Sequence, residues 1–212
     1  RPPPMHKNSG TKGGRKMKRI FLPLLLPLLL LLLTGCGRET QDRAAALQQQ
    51  YALVTGYETQ VRAALPREDE TLVYTLHLTK DGDTVRAEVL EPEELAGVAA
   101  AMTGDALTLE YDGTILDAGT LSPRVSGLSA APLLLDAFPR AYLDSCGSET
   151  LDGADALRVD FSAAAGSEAL GCTLYFGADG APVYGELAQD GKIIAAVEFT
   201  NFIFGDILSP DA

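Results

Sequence analysis

Hydrophobic positions along this chain change their spacing three times after Gly37, and each change marks a new kind of element. After Gly37, the residues Ala44, Leu47, Tyr51 and Val54 recur every three or four positions, which predicts one face of a helix. Thr40 is placed to cap it, Asp42 falls in its first turn and Gly56 ends it. From Tyr57 the spacing drops to two: Tyr57, Thr59, Val61, Ala63 and Leu65 alternate with Glu58, Gln60, Arg62 and Ala64, the pattern of a half-buried strand. The same alternation returns over 72–78, 85–89, 107–111, 157–161, 172–176, 183–187 and 193–199. Between these runs stand Asp81-Gly82, Gly104-Asp105, Asp112-Gly113, Asp152-Gly153, Asp179-Gly180 and Asp190-Gly191. Asp-Gly suits two-residue hairpin loops because both positions need φ > 0. The pattern therefore predicts an antiparallel meander. One helix interrupts it, from a cap at Ser129 to about Ser145, with Leu134, Ala137, Phe138, Ala141 and Tyr142 on one stripe. Pro132 fits its first turn, whereas Pro139 removes an interior hydrogen bond and kinks it. So apolar a helix needs cover on most sides, as a plug in the concavity of a curved sheet would have. The fold class is α+β, with about ten strands and a helix at each of these two places.

The start of the chain has another pattern. Arg15, Lys16, Lys18 and Arg19 precede an apolar run from Ile20 to Leu33, which closes on Leu33-Thr34-Gly35-Cys36. Basic, then greasy, then small is the order of a secretory signal. Fourteen apolar residues make a helix of about 21 Å, short of the roughly 30 Å hydrocarbon core. Leu-Thr-Gly-Cys resembles the bacterial lipobox, whose cysteine takes a diacylglycerol and begins the mature chain. Met17-Lys18-Arg19 reads as the start of translation. The expected organisation is a non-native upstream extension over 1–16, a lipoprotein signal peptide over 17–35, a lipidated N-terminus and short tether over 36–39, and one domain over 40–208. The protein is then extracytoplasmic, held to the bacterial cell membrane by its diacylglycerol.

Charge sharpens this picture. Residues 1–35 hold seven of the 17 Lys and Arg side chains and none of the 29 Asp and Glu. The remainder carries ten basic against 29 acidic side chains, a net charge of −19 where the whole chain has −12. A body so acidic has no cationic footprint for a phosphate backbone, which excludes nucleic acid as a partner.

Candidate chemistry is sparse. His77 is the single histidine after residue 36 and stands on the solvent-side parity of its strand, with no Cys or Glu cluster at ligand spacing. Glu68-Asp69-Glu70, Asp81/Asp83 and Glu91/Glu93/Glu94 fall in loops or at strand ends, where carboxylates stay solvated. The sequence thus predicts no metal, no cofactor and no catalytic residues: the protein is not an enzyme. Cys146 and Cys172 form either a disulfide, which an extracytoplasmic location permits, or a pair of small buried apolar residues. Many strands with one apolar face, together with small residues such as Gly97, Ala99 to Ala101, Gly185 and Ala195, suit either a lipid-sized cavity or a packed core.

Three stretches carry a family resemblance: Tyr57-Glu58-Thr59 directly after the first helix, Pro92-Glu93-Glu94-Leu95-Ala96-Gly97-Val98, and Leu109-Glu110-Tyr111-Asp112-Gly113 leading into Ile115-Leu116. In these and in its order of elements the chain resembles the LolA/LolB-like lipoprotein carrier superfamily, and within it the LolA-like lipoproteins of Gram-positive bacteria, a germination lipoprotein among them. The resemblance implies a curved antiparallel half-barrel with a helix across its concave face, sheltering acyl chains or docking a protein. By position in that topology, Leu134, Leu135, Phe138, Tyr74, Leu109 and Phe161 are the expected cavity lining. Two functions follow as expectations: non-catalytic binding of a lipid or other hydrophobic ligand, or a protein-interaction scaffold in a cell-envelope, germination or stress-signalling complex.

Overall fold

The computed structural model describes residues 36–104, 106–120, 125–165 and 168–205. The expected extension over 1–16 and the signal peptide over 17–35 lie outside the described residues. Contacts set residues 1–38 apart from a unit that starts at Glu39, and the fold below is that of the latter.

Helix α1 covers Cys36–Leu53, so Thr40 lies inside it and the four residues expected as a tether are its first turn. Six strands follow: β1 (Gly56–Pro66), β2 (Thr71–Asp81), β3 (Thr84–Glu91), β4 (Ala99–Thr103), β5 (Ala106–Tyr111) and β6 (Thr114–Thr120). Helix α2 (Gly127–Ala137) and a 3-10 turn (Phe138–Arg140) lead into β7 (Leu143–Leu151), β8 (Ala154–Ala165), β9 (Glu168–Phe176), β10 (Pro182–Gln189) and β11 (Lys192–Phe204). The eleven strands of the described residues form one open antiparallel sheet in the order β6-β5-β4-β3-β2-β1-β11-β10-β9-β8-β7. Two meanders therefore meet at β1 and β11, where Val61 faces Phe199 and Ala63 faces Val197. At three hairpins, Asp112-Gly113, Asp152-Gly153 and Asp190-Gly191 all have φ > 0 at both positions, as the sequence predicts.

The expected fold class holds: an open antiparallel sheet with an N-terminal helix and a kinked helix on one face. Eleven strands stand where about ten are expected, because β4, β6 and β7 join those seen by alternation. Burial follows strand parity. Val61, Ala63, Leu65, Leu76, Leu78, Val85, Ala87, Val89, Leu157, Val159, Leu174 and Leu187 are all within 6% of complete burial on the inner face. The outer face carries ion pairs between neighbouring strands, Arg62 with Glu198 and Arg158 with Glu149, and one along β8, Arg158 with Asp160. This is the two-sidedness of an antiparallel sheet with one face in water.

Helix α2 differs from expectation at both ends. Ser126, not Ser129, is its cap: Ser126 Oγ accepts from the Ser129 backbone N–H at 3.2 Å, and Ser129 Oγ accepts from the Ser126 N–H at 2.9 Å. Pro139 shortens the helix, which passes into the 3-10 turn and then into extended chain at Ala141. Ala141 and Tyr142 thus leave the helical stripe, and Tyr142 is 83% exposed. The helix lies across the middle of the sheet, touching β1, β2 and β3 on one side and β9, β10 and β11 on the other. Its fit is close. A Cβ on Gly185 would stand 2.9 Å from Leu134 Cδ1, and one on Gly127 would collide with the Tyr74 ring.

Cys146 and Cys172 are free thiols. Cys146 faces Val159 and Cys172 faces Phe161, so β8 runs between their strands. Two strand spacings are about 9.5 Å, beyond the roughly 7 Å that a disulfide spans between Cα atoms. Of the two alternatives, the bridge is the one to drop. Burial pushes the Cys172 thiol up to about 12, against a smaller opposing effect of a backbone hydrogen bond from Ala163. Iodoacetamide at pH 8 is therefore expected to alkylate Cys146 in the native, unreduced protein and to spare Cys172, with both reacting in denaturant. Persistent protection of both in denaturant until reductant is added would restore the disulfide.

Candidate functional site

The two long faces of α2 do different jobs. Ala130, Ala131, Leu134, Leu135 and Phe138 lie on one stripe and are at most 4% exposed, against the sheet. Pro132, Leu133, Asp136, Ala137 and Arg140 lie on the other, which borders a half-open cleft of about 890 Å³. That volume is within the usual range for small-molecule sites, roughly 300–1,000 Å³. The lining also takes in the ends of β2, β3 and β4 and their turns: Lys80, Gly82, Asp83, Val85, Met102, Thr103 and Gly104. Tyr51, Val54 and Thr55, with Ser162, Ala163 and Ala164 of β8, complete it.

Helix α1 holds this arrangement through polar bonds at the 3-10 turn. Gln48 Nε2 donates to the carbonyls of Phe138 at 2.8 Å and Ala141 at 2.7 Å, at the turn that follows α2. Tyr51 donates its hydroxyl to the Gly180 carbonyl at 3.0 Å while its ring meets Phe138 and Phe176, each at 5.5 Å, and Phe204 at 5.6 Å. Burial first, and the Asp179 carboxylate second, push the Tyr51 hydroxyl far above its ordinary range, so it remains a donor. Tyr57 is raised likewise, by burial and then by Asp136.

The cleft is mixed in chemistry. Val85, Met102, Leu133, Ala137 and Ala163 give it an apolar lining, and Asp83, Asp136, Lys80 and Arg140 stand among them. Asp136 is bound to Arg140 one helical turn on. Among the described residues no group of three or more His, Cys, Asp or Glu is placed to hold a metal ion. His77 lies on the outer face, its Nε2 2.9 Å from Glu58 Oε1. The carboxylates of Glu68, Asp69 and Glu70 are exposed in the turn between β1 and β2.

None of the six residues expected to line a cavity borders this cleft. Leu134, Leu135, Phe138 and Phe161 are core, and Tyr74 and Leu109 are half-buried at its margin. Leu134 and Leu174 fill the space over Gly185, and Ala99, Ala100 and Ala195 are at most 1% exposed. Gly185 lets α2 seat on the sheet, and the cleft borders the helix's other stripe. Lys80, Leu133 and Gln48 are the site residues that sequence reasoning missed. Lys80 did leave a signal, since it continues the inward parity of Leu76 and Leu78.

Cys36 is the first described residue, at the start of α1. Among the described residues no helix is long and apolar enough to cross a membrane.

No protein-family model and no curated protein matches the chain. Among solved structures it is similar to a LolA superfamily protein of Nitrosomonas europaea, at 12% identity over 84% of this chain and 96% of that one, with a TM-score of 0.44. It is also similar to the lipoprotein LppX of Mycobacterium tuberculosis, at 16% identity over 75% and 93% of the two chains, TM-score 0.40. A third similarity is to a chain in the complex of the CwlD amidase of Clostridioides difficile with the GerS lipoprotein, at 17% identity over 78% and 95%, TM-score 0.42.

Proposed function

We propose that this chain is an extracytoplasmic lipoprotein, anchored by a diacylglycerol on Cys36, whose sheet and α2 together hold a lipid or other hydrophobic ligand without catalysis. The observation that carries the reading is the second stripe of α2. Leu133 is only half-buried and borders the cleft instead of joining the core, beside Ala137 and the edges of the core residues Val85 and Met102. Apolar side chains lining a half-open space of this size favour an apolar occupant. The anchor rests on the order of basic, apolar and small residues ending at Cys36.

Native mass spectrometry of the full chain released from detergent tests the ligand. A non-covalent adduct in the mass range of one acyl lipid, shed on collisional activation, is expected beside the covalent modification of Cys36. A bare chain under conditions that preserve other lipoprotein–lipid complexes would sink the reading.

One observation favours a scaffold instead. Edge strand β6 and its neighbour expose Tyr111, Ile115 and Leu116, the last two by 70% and 60%. An extended segment of an envelope protein adding to that edge would cover them. On this second reading the adduct is a polypeptide, and Leu116→Lys removes it.

A further inference from the structure

Lys80 is at odds with its position. It continues the inward row of β2 beyond Leu76 and Leu78, both fully buried, and its register partners are Tyr57 on β1 and Val85 on β3, each 6% exposed. Its own side chain is half-buried and borders the cleft. No ion pair or side-chain hydrogen bond reaches its ammonium among the described residues, although acidic side chains outnumber basic ones almost threefold after residue 35.

The other described cations are settled. Arg62, Arg86, Arg140 and Arg158 are in ion pairs, and Arg43 donates to the Gly177 carbonyl at 2.8 Å. Arg38, Arg67 and Lys192 are exposed, where water solvates them. Lys80 alone among the described residues combines partial burial with an unpaired charge. The cleft's two carboxylates do not meet that need, for Asp136 is taken by Arg140 and Asp83 lies on an exposed turn beyond ion-pair distance.

A cation withdrawn from water without a partner is unfavourable, and a ligand that brings the anion relieves it. We infer that Lys80 receives the anionic head, carboxylate or phosphate, of an acyl ligand whose chain lies along Val85, Met102 and Leu133. This rests on the hydrophobic-ligand reading above and adds to it the class of ligand. The acidic body does not oppose such binding strongly, because charges more than about 8 Å away are screened at physiological salt, whereas a half-buried contact is screened less.

The test uses membranes bearing the full chain and three photoreactive, clickable probes: a C16 fatty acid, the matching uncharged alcohol, and a phosphatidylglycerol with the same acyl label. Crosslinks are mapped by mass spectrometry to peptides containing Leu133 or Met102. At least one anionic probe is expected to label these peptides about tenfold more than the alcohol does. Lys80→Gln should bring it down to the alcohol's level, Lys80→Arg should restore it, and alcohol labelling should not change. A preference for the acid identifies the carboxylate, and one for phosphatidylglycerol the phosphate. Equal labelling by acid, phospholipid and alcohol, unaltered in Lys80→Gln, would overturn the role of Lys80 and leave the apolar site standing. Absence of label from all three probes would remove the site itself.

Discussion

Replacing Phe138 by alanine is expected to lower stability by about 3–5 kcal/mol, the range for deleting a buried aromatic ring. Phe138 is fully buried and closes the angle between α2 and the 3-10 turn, with its ring 4.9 Å from that of Phe176, 5.5 Å from Tyr51 and 5.7 Å from Phe161. Those three partners come from β9, α1 and β8, so one truncation loosens a helix and two strands at once. The space cannot refill easily. Gln48 fixes the backbone at Phe138 and Ala141, and α2 is already in contact with the sheet through Leu134 at Gly185. For a chain of this size each kcal/mol moves the midpoint by roughly 2–4 °C, so a thermal melt should fall by about 6 to 20 °C. A loss below about 1 kcal/mol would mean that the ring is not the packing centre described here.

Phe138 also shows where the sequence is readable and where it is not. Period-two alternation identifies β1, β2, β3, β5 and β8 to β11, since each has one face in the core and one in water. It misses β7, whose nine residues LDSCGSETL include only three apolar ones and whose outer edge no strand covers. It misses β4, because a run of three alanines has no contrast between its faces, and β6, which lies at the other edge. For α2 the composition identifies a helix but not its orientation. Leu133, Leu134 and Leu135 are adjacent, so every rotation about the axis buries some leucine, and only the fit of Leu134 over Gly185 decides which. Of the expected lining residues, Leu134, Leu135 and Phe138 therefore lie on the stripe that meets the core, while Leu133 borders the cleft. Ser126 and Ser129 pose the same ambiguity at its start: both are hydroxyl residues, and both prove to belong to one capping box.

That ambiguity makes Leu133 and Leu134 the most informative pair in the chain. Leu134→Ala removes a fully buried side chain that touches the sheet, and should cost about 2–5 kcal/mol while leaving the opposite wall of the helix unchanged. Leu133→Glu should do the reverse. Its side chain borders the cleft, where a new carboxylate can stay hydrated in the empty protein, so the change in stability should be within about 1 kcal/mol. Once an acyl chain enters, that carboxylate must either lose its water or hold the chain away. Binding is then opposed by several kcal/mol, which lowers affinity by two or more orders of magnitude. The new charge also borders the same cleft as Lys80 and competes with an anionic head for it. Acyl-probe labelling of membranes bearing each variant, read beside a thermal melt, should give a stable protein without ligand for Leu133→Glu and a weakened protein that still takes ligand in its folded fraction for Leu134→Ala. If Leu133→Glu is labelled as strongly as the parent chain, the ligand does not lie on the outer stripe of α2, and the cleft is not its site.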